Sequence, residues 1–462
     1  MNLRTFLSLA AIATVTLSLA ACGGGGSSSS TGSSGPAPAG DAATYQVTGS
    51  LTGLAAGKSI TLLGNGQPVV VSQNGVFQIS AALPAGAAYT VTVGTQPQGE
   101  TCVVTNGAGV IDTSNVVDVT VTCAATKPQF AYVANTFGNV SAYSIDASTG
   151  ALTPVPGSPF AAGSDPFSVT VNPAGTFAYV ANGGSDNVST YSIDASTGAL
   201  TPVPGSPFAA GSNPFSVTVN PAGTFAYVAN QGSANVSAYS IDASTGALTP
   251  VSGSPFAAGT APSSVTVNPA GTFAYVANIG SANVSAYSID ASTGALTPIP
   301  GSPFAAYASP VSVTVNPAGT FAYVANEGSY VVLAYSIDAS TGALTPFPGT
   351  PFATGHYPIS VTVNPAGTFA YVANQGSANV SAYSIDANTG ALTPVPGSPF
   401  AAGASPYSVT VNPAGTFAYV ANRDSGNVSA YSIDASTGAL TPVSGSPFAA
   451  GVLPVSIAVA QP

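Results

Sequence analysis

The hexapeptide FAYVAN occurs seven times in this chain and constrains its fold more than any other feature. The copies begin at Phe130, Phe177, Phe225, Phe273, Phe321, Phe369 and Phe417. The first interval is 47 residues and the other five are 48. Such a period in a sequence rich in valine, tyrosine and serine predicts a closed array of small sheets, which is a β-propeller.

One complete period, residues 166–211, contains four predicted strands. They are, in order, PFSVTVNP, FAYVAN, NVSTYSID and LTPVPGSP. The first turn is NPAGT, where Gly175 supplies a positive φ, and the later DASTG turn begins with Asp194, whose carboxylate is placed to accept backbone N–H groups. The prolines of the fourth strand suit an outer sheet edge, because they lack backbone donors.

The two ends of the repeat array are complementary. No copy of the first strand precedes Phe130, whereas the chain closes on an extra copy that begins at Pro454. We therefore expect the C-terminal strand to complete the first blade. The sequence predicts an all-β protein whose residues 127–462 form a seven-bladed propeller closed by its C-terminal strand.

Residues 41–125 predict a separate, small antiparallel β-sandwich, since seven short alternating stretches are divided by glycine-rich turns. The unit resembles the immunoglobulin-like modules that precede propellers in exported bacterial proteins. Cys102 and Cys123 stand at the ends of two of its predicted strands. We expect them to form a disulfide, and a metal-binding pair is the alternative.

The N-terminus has the pattern of an export signal. Residues 1–21 carry a basic start and an apolar stretch, and the Leu-Ala-Ala-Cys ending resembles the bacterial lipobox, which predicts lipidation of Cys22. Residues 22–40 are a Gly/Ser-rich linker. We expect export and lipid anchoring at a bacterial membrane, with the outer membrane favoured by Gly23. An unlipidated signal peptide is the alternative.

Charge is sparse and mostly negative. The whole chain has a net charge of −11, and beyond residue 21 only Lys58, Lys127 and Arg423 are cationic. Such a surface repels phosphate backbones, so we expect no nucleic-acid partner. We expect a monomer whose partners are the membrane, through its lipid, and a protein or saccharide ligand.

The repeat PAGTFAYVAN…VSAYSIDASTGAL resembles the seven-bladed lactonase-like, or YVTN, propeller family, whose hallmark Tyr-Val stands here at Tyr179-Val180. The resemblance covers the whole predicted propeller. It implies the propeller fold, and it implies either a 6-phosphogluconolactonase-type activity on a sugar lactone or a surface role without a reaction. Family members that act on phosphorylated or carboxylated sugars need several cations, whereas this propeller has one Arg and one His.

Sequence differences between the repeats concentrate in two sets of loops, which precede the first strand and follow FAYVAN. In a four-stranded meander both sets lie on one face of the disc, which we expect to be the binding face. The unusual residues there are Asp165, Asp186, Tyr307, Glu327, Tyr330, His356, Tyr357, Tyr407, Arg423 and Asp424.

Two functions are compatible with these residues. The first is a membrane-anchored surface protein that binds or scaffolds through the variable loops and is not an enzyme. The second is a lactone hydrolase in which His356 is the general base and Glu327 orients it, with nearby tyrosines stacking on the ligand. We expect no cofactor and no metal site, since the seven repeated aspartates are explained by their turns.

Overall fold

The computed structural model describes residues 43–97, 99–347 and 349–462. Within these ranges the chain is almost wholly β-structure, with two short 3-10 helices at Glu327–Ser329 and Gln375–Ser377. None of the helices in this part could cross a bilayer, since each is a single turn. The predicted signal peptide (1–21), the lipidation site Cys22 and the linker (22–40) lie outside the described residues.

The first folded unit consists of two four-stranded sheets. Its strands are β1 (Thr44–Thr52), β2 (Ile60–Gly64), β3 (Gln67–Val71), β4 (Gly75–Pro84), β5 (Ala88–Thr95), β6 (Glu100–Thr105), β7 (Ala108–Val110) and β8 (Val116–Ala125). One sheet has the order β4-β1-β8-β6 and the other has the order β3-β2-β5-β7. The pairing of β1 with β8 is parallel, so the prediction of a wholly antiparallel sandwich is wrong at this pair. The first and last strands are neighbours that run in the same direction.

One apolar core lies between these two sheets, because alternate residues of each strand point inward. Leu51, Leu62 and Val119 are completely buried in it. Cys102 and Cys123 stand opposite each other on β6 and β8 and form a disulfide, which confirms that prediction. The immunoglobulin-like assignment stays a prediction.

The rest of the chain forms seven sheets, or blades, which confirms the predicted propeller. The inner strands of blades two to seven are Pro166–Val171, Pro214–Val219, Pro262–Val267, Pro310–Val315, Pro358–Val363 and Pro406–Val411, and that of blade one is Pro454–Ala460. The second strands, from blade one, are Gln129–Asn135, Phe177–Asn182, Phe225–Asn230, Phe273–Asn278, Phe321–Asn326, Phe369–Asn374 and Phe417–Asn422. The third strands are Asn139–Ile145, Asn187–Ile193, Asn235–Ile241, Asn283–Ile289, Val331–Ile337, Asn379–Ile385 and Asn427–Ile433.

The outer edge of each blade differs from the single fourth strand that the sequence predicts. Two short strands follow one another along the same edge of the third strand and pair with its opposite ends. The first pieces are Leu152–Pro154, Leu200–Pro202, Leu248–Pro250, Leu296–Pro298, Leu344–Pro346, Leu392–Pro394 and Leu440–Pro442. The second pieces are Phe160–Ala161, Phe208–Ala209, Phe256–Ala257, Phe304–Ala305, Phe352–Ala353, Phe400–Ala401 and Phe448–Ala449. In blade two, Pro204 lacks a donor and Gly205 has a φ of 87°, so the chain turns between the pieces.

The C-terminal strand closes the ring as the sequence predicts. Pro454–Ala460 pairs antiparallel with Gln129–Asn135 and completes blade one. Serine hydroxyls then link the inner strands of neighbouring blades: the backbone N–H of Val169 donates to Ser456 Oγ at 3.1 Å, and that of Ile457 donates to Ser408 Oγ at 3.4 Å. The same bond recurs between every pair of adjacent blades, so the hydrogen-bonded ring is continuous.

The blades are held together by the FAYVAN residues, which are buried on both faces of the second strand. Phe130, Tyr132 and Ala134 pack against blade two, whereas Ala131 and Val133 pack against blade seven. Seven such clusters fill the seven gaps between blades. This two-sided burial explains why the hexapeptide is identical in every copy.

Candidate functional site

Two sets of seven residues surround the mouth of the central channel on the variable-loop face. We call the residues that follow the first proline of each inner strand the strand ring. They are Phe167, Phe215, Ser263, Val311, Ile359, Tyr407 and Val455. We call the residues that follow each FAYVAN the loop ring. They are Thr136, Gly183, Gln231, Ile279, Glu327, Gln375 and Arg423.

A repeated backbone hydrogen bond holds the two rings together. The N–H of each loop-ring residue donates to the carbonyl of the residue before the inner strand of the same blade, for example Glu327 to Ser309 at 2.9 Å and Arg423 to Ser405 at 2.9 Å. Each accepting residue has a positive φ, such as 55° at Ser309 and 53° at Ser405. These bonds place the two variable loops of each blade side by side, which supports the prediction that they share one face.

A cavity of about 370 Å³ opens between the two rings. Every strand-ring residue except Ser263 lines it, together with Gln231, Ile279, Glu327, Gln375 and Arg423 from the loop ring. Its volume is in the range that small-molecule sites occupy. Of the predicted site residues, the cavity therefore brings together Glu327, Tyr407 and Arg423.

These three residues interact electrostatically within the cavity wall. Burial raises the pKa of the Glu327 carboxyl above its ordinary value, so this group is a better base than an exposed glutamate. Burial also raises the pKa of the Tyr407 phenol, while the positive charge of Arg423 lowers it and the negative charge of Glu327 raises it. Tyr407 thus stays protonated near neutral pH and is available as a hydrogen-bond donor.

Asp424 lies next to the cavity and orients Arg423. An ion pair joins Arg423 Nη1 to Asp424 Oδ1 at 3.5 Å, and the Ser405 hydroxyl donates to the other carboxylate oxygen of Asp424. Both members of the ion pair are partly exposed, so the contact adds little stability.

The aromatic side chains of blades five and six form a second group on the same face. The rings of Tyr330 and His356 lie 4.9 Å apart, and those of Tyr330 and Tyr357 meet edge-to-face at 5.1 Å. Tyr330 and Tyr357 have φ values of 57° and 55°, a backbone conformation that bulky residues rarely adopt. We call Tyr330, His356 and Tyr357 the aromatic rim.

The hydrolase hypothesis pairs His356 with Glu327, which stand on neighbouring loops. The hydrogen bonds and ion pairs of the described chain include none between them, and the one side-chain bond near His356 runs from its backbone N–H to Ser377 Oγ at 2.8 Å. Glu327 lines the cavity, whereas His356 is exposed and is not part of the cavity lining.

The remaining predicted residues lie outside the cavity lining. Asp186 Oδ1 accepts a hydrogen bond of 2.8 Å from the backbone N–H of Asn213 and so joins the loops of blades two and three. Asp165 occupies the positive-φ position before its inner strand and is exposed. Tyr307 is exposed on the loop before blade five.

Sequence reasoning missed most of the cavity lining, including the stacked pair Phe167 and Phe215. The signal was present, because the second residue of the motif PxSVTVN differs between repeats while its neighbours stay constant. Tyr407 stood out at this position because its residue type occurs there once, whereas phenylalanine occurs there in two repeats. The repeated serine of the same motif accepts a hydrogen bond from the backbone of the adjacent blade.

Comparison with known proteins identifies the fold. Three overlapping stretches of the chain, residues 124–261, 216–314 and 264–455, match the family model described as a lactonase with a seven-bladed β-propeller. No curated protein matches the sequence.

Solved structures agree in fold at low sequence identity. The periplasmic gluconolactonase of Pseudomonas aeruginosa is 19% identical with a TM-score of 0.62, and the match covers 73% of this chain and 100% of that one. A Bacteroides fragilis protein, provisionally named a 6-phosphogluconolactonase, is 21% identical with a TM-score of 0.62, over 72% of this chain and 98% of that one. At these sequence identities the structural similarity shows the fold alone.

Proposed function

Because the chain belongs to the lactonase family of seven-bladed β-propellers, we propose that its central cavity binds and hydrolyses an uncharged lactone. The observation that carries this proposal is the group of Glu327, Tyr407 and Arg423 around one cavity of small-molecule size. A carboxylate, a phenol and a guanidinium supply a base, a neutral donor and a cation, which are the groups that ester hydrolysis needs.

In this proposal Glu327 is the general base. It removes a proton from a water molecule as the water oxygen bonds to the lactone carbonyl carbon. Negative charge then develops on the carbonyl oxygen, where Arg423 and the Tyr407 hydroxyl stabilise it. The bond from that carbon to the ring oxygen breaks next, and the proton held by Glu327 passes to the ring oxygen. One water is consumed, and a hydroxy acid is formed.

The charges around the cavity favour an uncharged substrate. Among the described lining residues Arg423 is the one cation, and Asp424 offsets part of its charge. Glu327 adds a negative charge to the same wall. A phosphorylated lactone would bring about two further negative charges to this wall, with a single cation to hold them.

The test is hydrolysis of glucono-δ-lactone and dihydrocoumarin by the full-length protein and by Glu327→Gln. Glutamine occupies this loop-ring position in blades three and six, as Gln231 and Gln375, so the substitution fits the fold. We expect kcat to fall by roughly 100-fold or more, the usual effect of removing a general base. His356→Ala is the control. Loss of turnover in that variant, with Glu327→Gln still active, would instead support His356 as the base.

A second candidate function is binding of a saccharide at the aromatic rim, by a protein that serves as a surface scaffold. The supporting observation is the group of aromatic rings formed by half-buried Tyr330 with exposed His356 and Tyr357, because aromatic faces stack on the apolar faces of sugars. A glycan array probed with the wild type and with Tyr330→Ala tests it. Binding that is unchanged in the variant would remove the aromatic rim as the site.

We also propose that the protein is exported, lipidated at Cys22, anchored to the outer membrane and monomeric. The Cys102–Cys123 disulfide supports an oxidising compartment. In this arrangement the sandwich spaces the propeller from the lipid surface. Fractionation of cells that express Cys22→Ala tests the anchor, since this variant should leave the membrane fraction, whereas retention there would contradict lipidation.

A further inference from the structure

The cavity is divided into an aromatic arc and a charged arc. Phe167 and Phe215 belong to blades two and three, whereas Glu327, Gln375 and Arg423 belong to blades five, six and seven. Inner strands contact one another in chain order and close from blade seven to blade one. In a ring of seven, the junction of blades two and three faces blade six. The two arcs therefore stand on opposite sides of the channel.

The aromatic arc consists of the stacked rings of Phe167 and Phe215, and the neighbouring chain leaves space for them. The rings of Phe167 and Phe215 lie 4.8 Å apart with an interplanar angle of 24°. Gly183 leaves room for this pair, because a Cβ there would come within 2.5 Å of Phe167 Cε2 and 2.6 Å of Asn213 Oδ1. Six of the seven loop-ring positions carry a side chain, and the one glycine lies beside Phe167.

A polyhydroxylated ligand fits this arrangement poorly. Its hydroxyl groups would lose water against the phenylalanine rings, where Gln231 is the one polar lining side chain of blades two and three, and unpaired buried hydroxyls are costly. An aromatic ring has no such cost and gains stacking with the pair. At roughly 30 Å³ per water molecule, the cavity has the volume of about twelve waters, enough for a bicyclic molecule.

We propose that the substrate is a lactone with an aromatic or extended apolar part, which packs on Phe167 and Phe215 while its ester group meets Glu327 and Arg423. This inference rests on the proposed lactone hydrolysis and names its substrate class. The stacked pair is the specificity determinant, and the charged arc acts on the ester group.

The experiment compares kcat/KM for dihydrocoumarin, an aryl lactone, with that for glucono-δ-lactone, after subtraction of spontaneous hydrolysis. The variants are Phe215→Val, Phe167→Val and the double variant, since Val311 and Val455 occupy the same strand-ring position in other blades. We expect the wild type to prefer dihydrocoumarin at least tenfold. In the double variant the ratio of kcat/KM for dihydrocoumarin to that for glucono-δ-lactone should be about tenfold lower. The reason is a higher KM for the aryl lactone alone.

A second readout separates this inference from the proposed function. The hydrolysis product of dihydrocoumarin, 3-(2-hydroxyphenyl)propanoate, carries both an aromatic ring and a carboxylate, and calorimetry measures its binding directly. One possible outcome is that no lactone is hydrolysed but the product binds the wild type and not the double variant. This outcome would support the aromatic ligand class and contradict the proposed hydrolysis. A preference for glucono-δ-lactone, or a substrate ratio unchanged in the double variant, would overturn the inference.

Discussion

The tyrosine of each FAYVAN strand joins its blade to the next one. Tyr132 is completely buried, and its hydroxyl donates to the carbonyl of Gly198 at 2.9 Å. The bond recurs in every blade and ends with Tyr419, which donates to Gly150 of blade one at 3.1 Å. Burial raises the pKa of these phenols, so they remain donors at any pH that the fold tolerates. The hallmark residue of the repeat is thus structural.

We expect Tyr227→Phe to lower the free energy of unfolding by about 1–2 kcal/mol, because the variant leaves the buried carbonyl of Gly294 without its donor. Urea denaturation followed by tyrosine fluorescence measures the change. Tyr307→Phe is the matched control, since its hydroxyl is on an exposed side chain and its removal should change the midpoint little. Equal effects in the two variants would contradict an inter-blade role.

The pH profile of hydrolysis should identify the base. Because burial raises the Glu327 pKa, the rate should increase with pH through a midpoint above 4.5, as the carboxyl loses its proton. This limb should be absent from the residual activity of Glu327→Gln. A pH-dependent limb that vanishes in His356→Ala would instead restore the pairing that the sequence suggested.

The DASTG turn occurs in all seven blades on the face opposite the variable loops, with Asn388 as its one sequence difference. In blade two, Asp194 Oδ1 accepts from the backbone N–H groups of Ser196 at 3.0 Å and Thr197 at 2.8 Å. The Ser196 hydroxyl bond is the largest cause that lowers the Asp194 pKa, to about 2, and the Thr197 backbone bond comes next. The turns of five blades share this value.

These turns should make stability sensitive to acid. Their aspartates have lower pKa values in the folded chain than the ordinary 3.8, so the unfolded chain binds more protons between about pH 4 and pH 2. We expect the melting temperature to be steady above this window and to fall as the pH falls through it. In Asp290→Asn the fall should be smaller. A melting temperature that is constant down to pH 2 would show that the aspartates of these turns do not contribute to the stability of the fold.

Closure by the C-terminal strand is a property of the whole molecule. Deleting residues 454–462 removes the inner strand of blade one and the bonds through Ser456 and Ile457. We expect the melting temperature to fall by roughly 10 °C or more, which corresponds to several kcal/mol in a chain of this size. Deletion of residues 461 and 462 alone is the control, because it leaves the strand intact. A similar melting temperature for both deletions would argue against closure.

The architecture could be predicted because the same residues make the same contacts in every blade. Tyr, Gly and Ser at fixed positions of each repeat form the recurring inter-blade bonds. Their repetition in the sequence therefore indicates the repeated blades of the structure. The site could be predicted only in part. Blade order places Glu327 and His356 on neighbouring loops, but the direction of each side chain depends on its position within the loop. Phe167 and Phe215 escaped notice because phenylalanine occurs at this strand position in two repeats, whereas Tyr407, at the same position, stood out as a single occurrence.

The strand ring and the loop ring differ in sequence from the residues that join the blades, and this difference affects how substitutions can alter the protein. The Tyr–Gly and serine–backbone bonds that recur between all adjacent blades use residues that the repeats share, whereas the cavity is lined by positions at which the repeats differ. A substitution such as Phe215→Val alters one sector of the wall and leaves all of those bonds in place. The recurring inter-blade bonds and the cavity lining can therefore vary independently, and exchange of a single 48-residue unit would change one sector of the cavity wall while keeping those bonds.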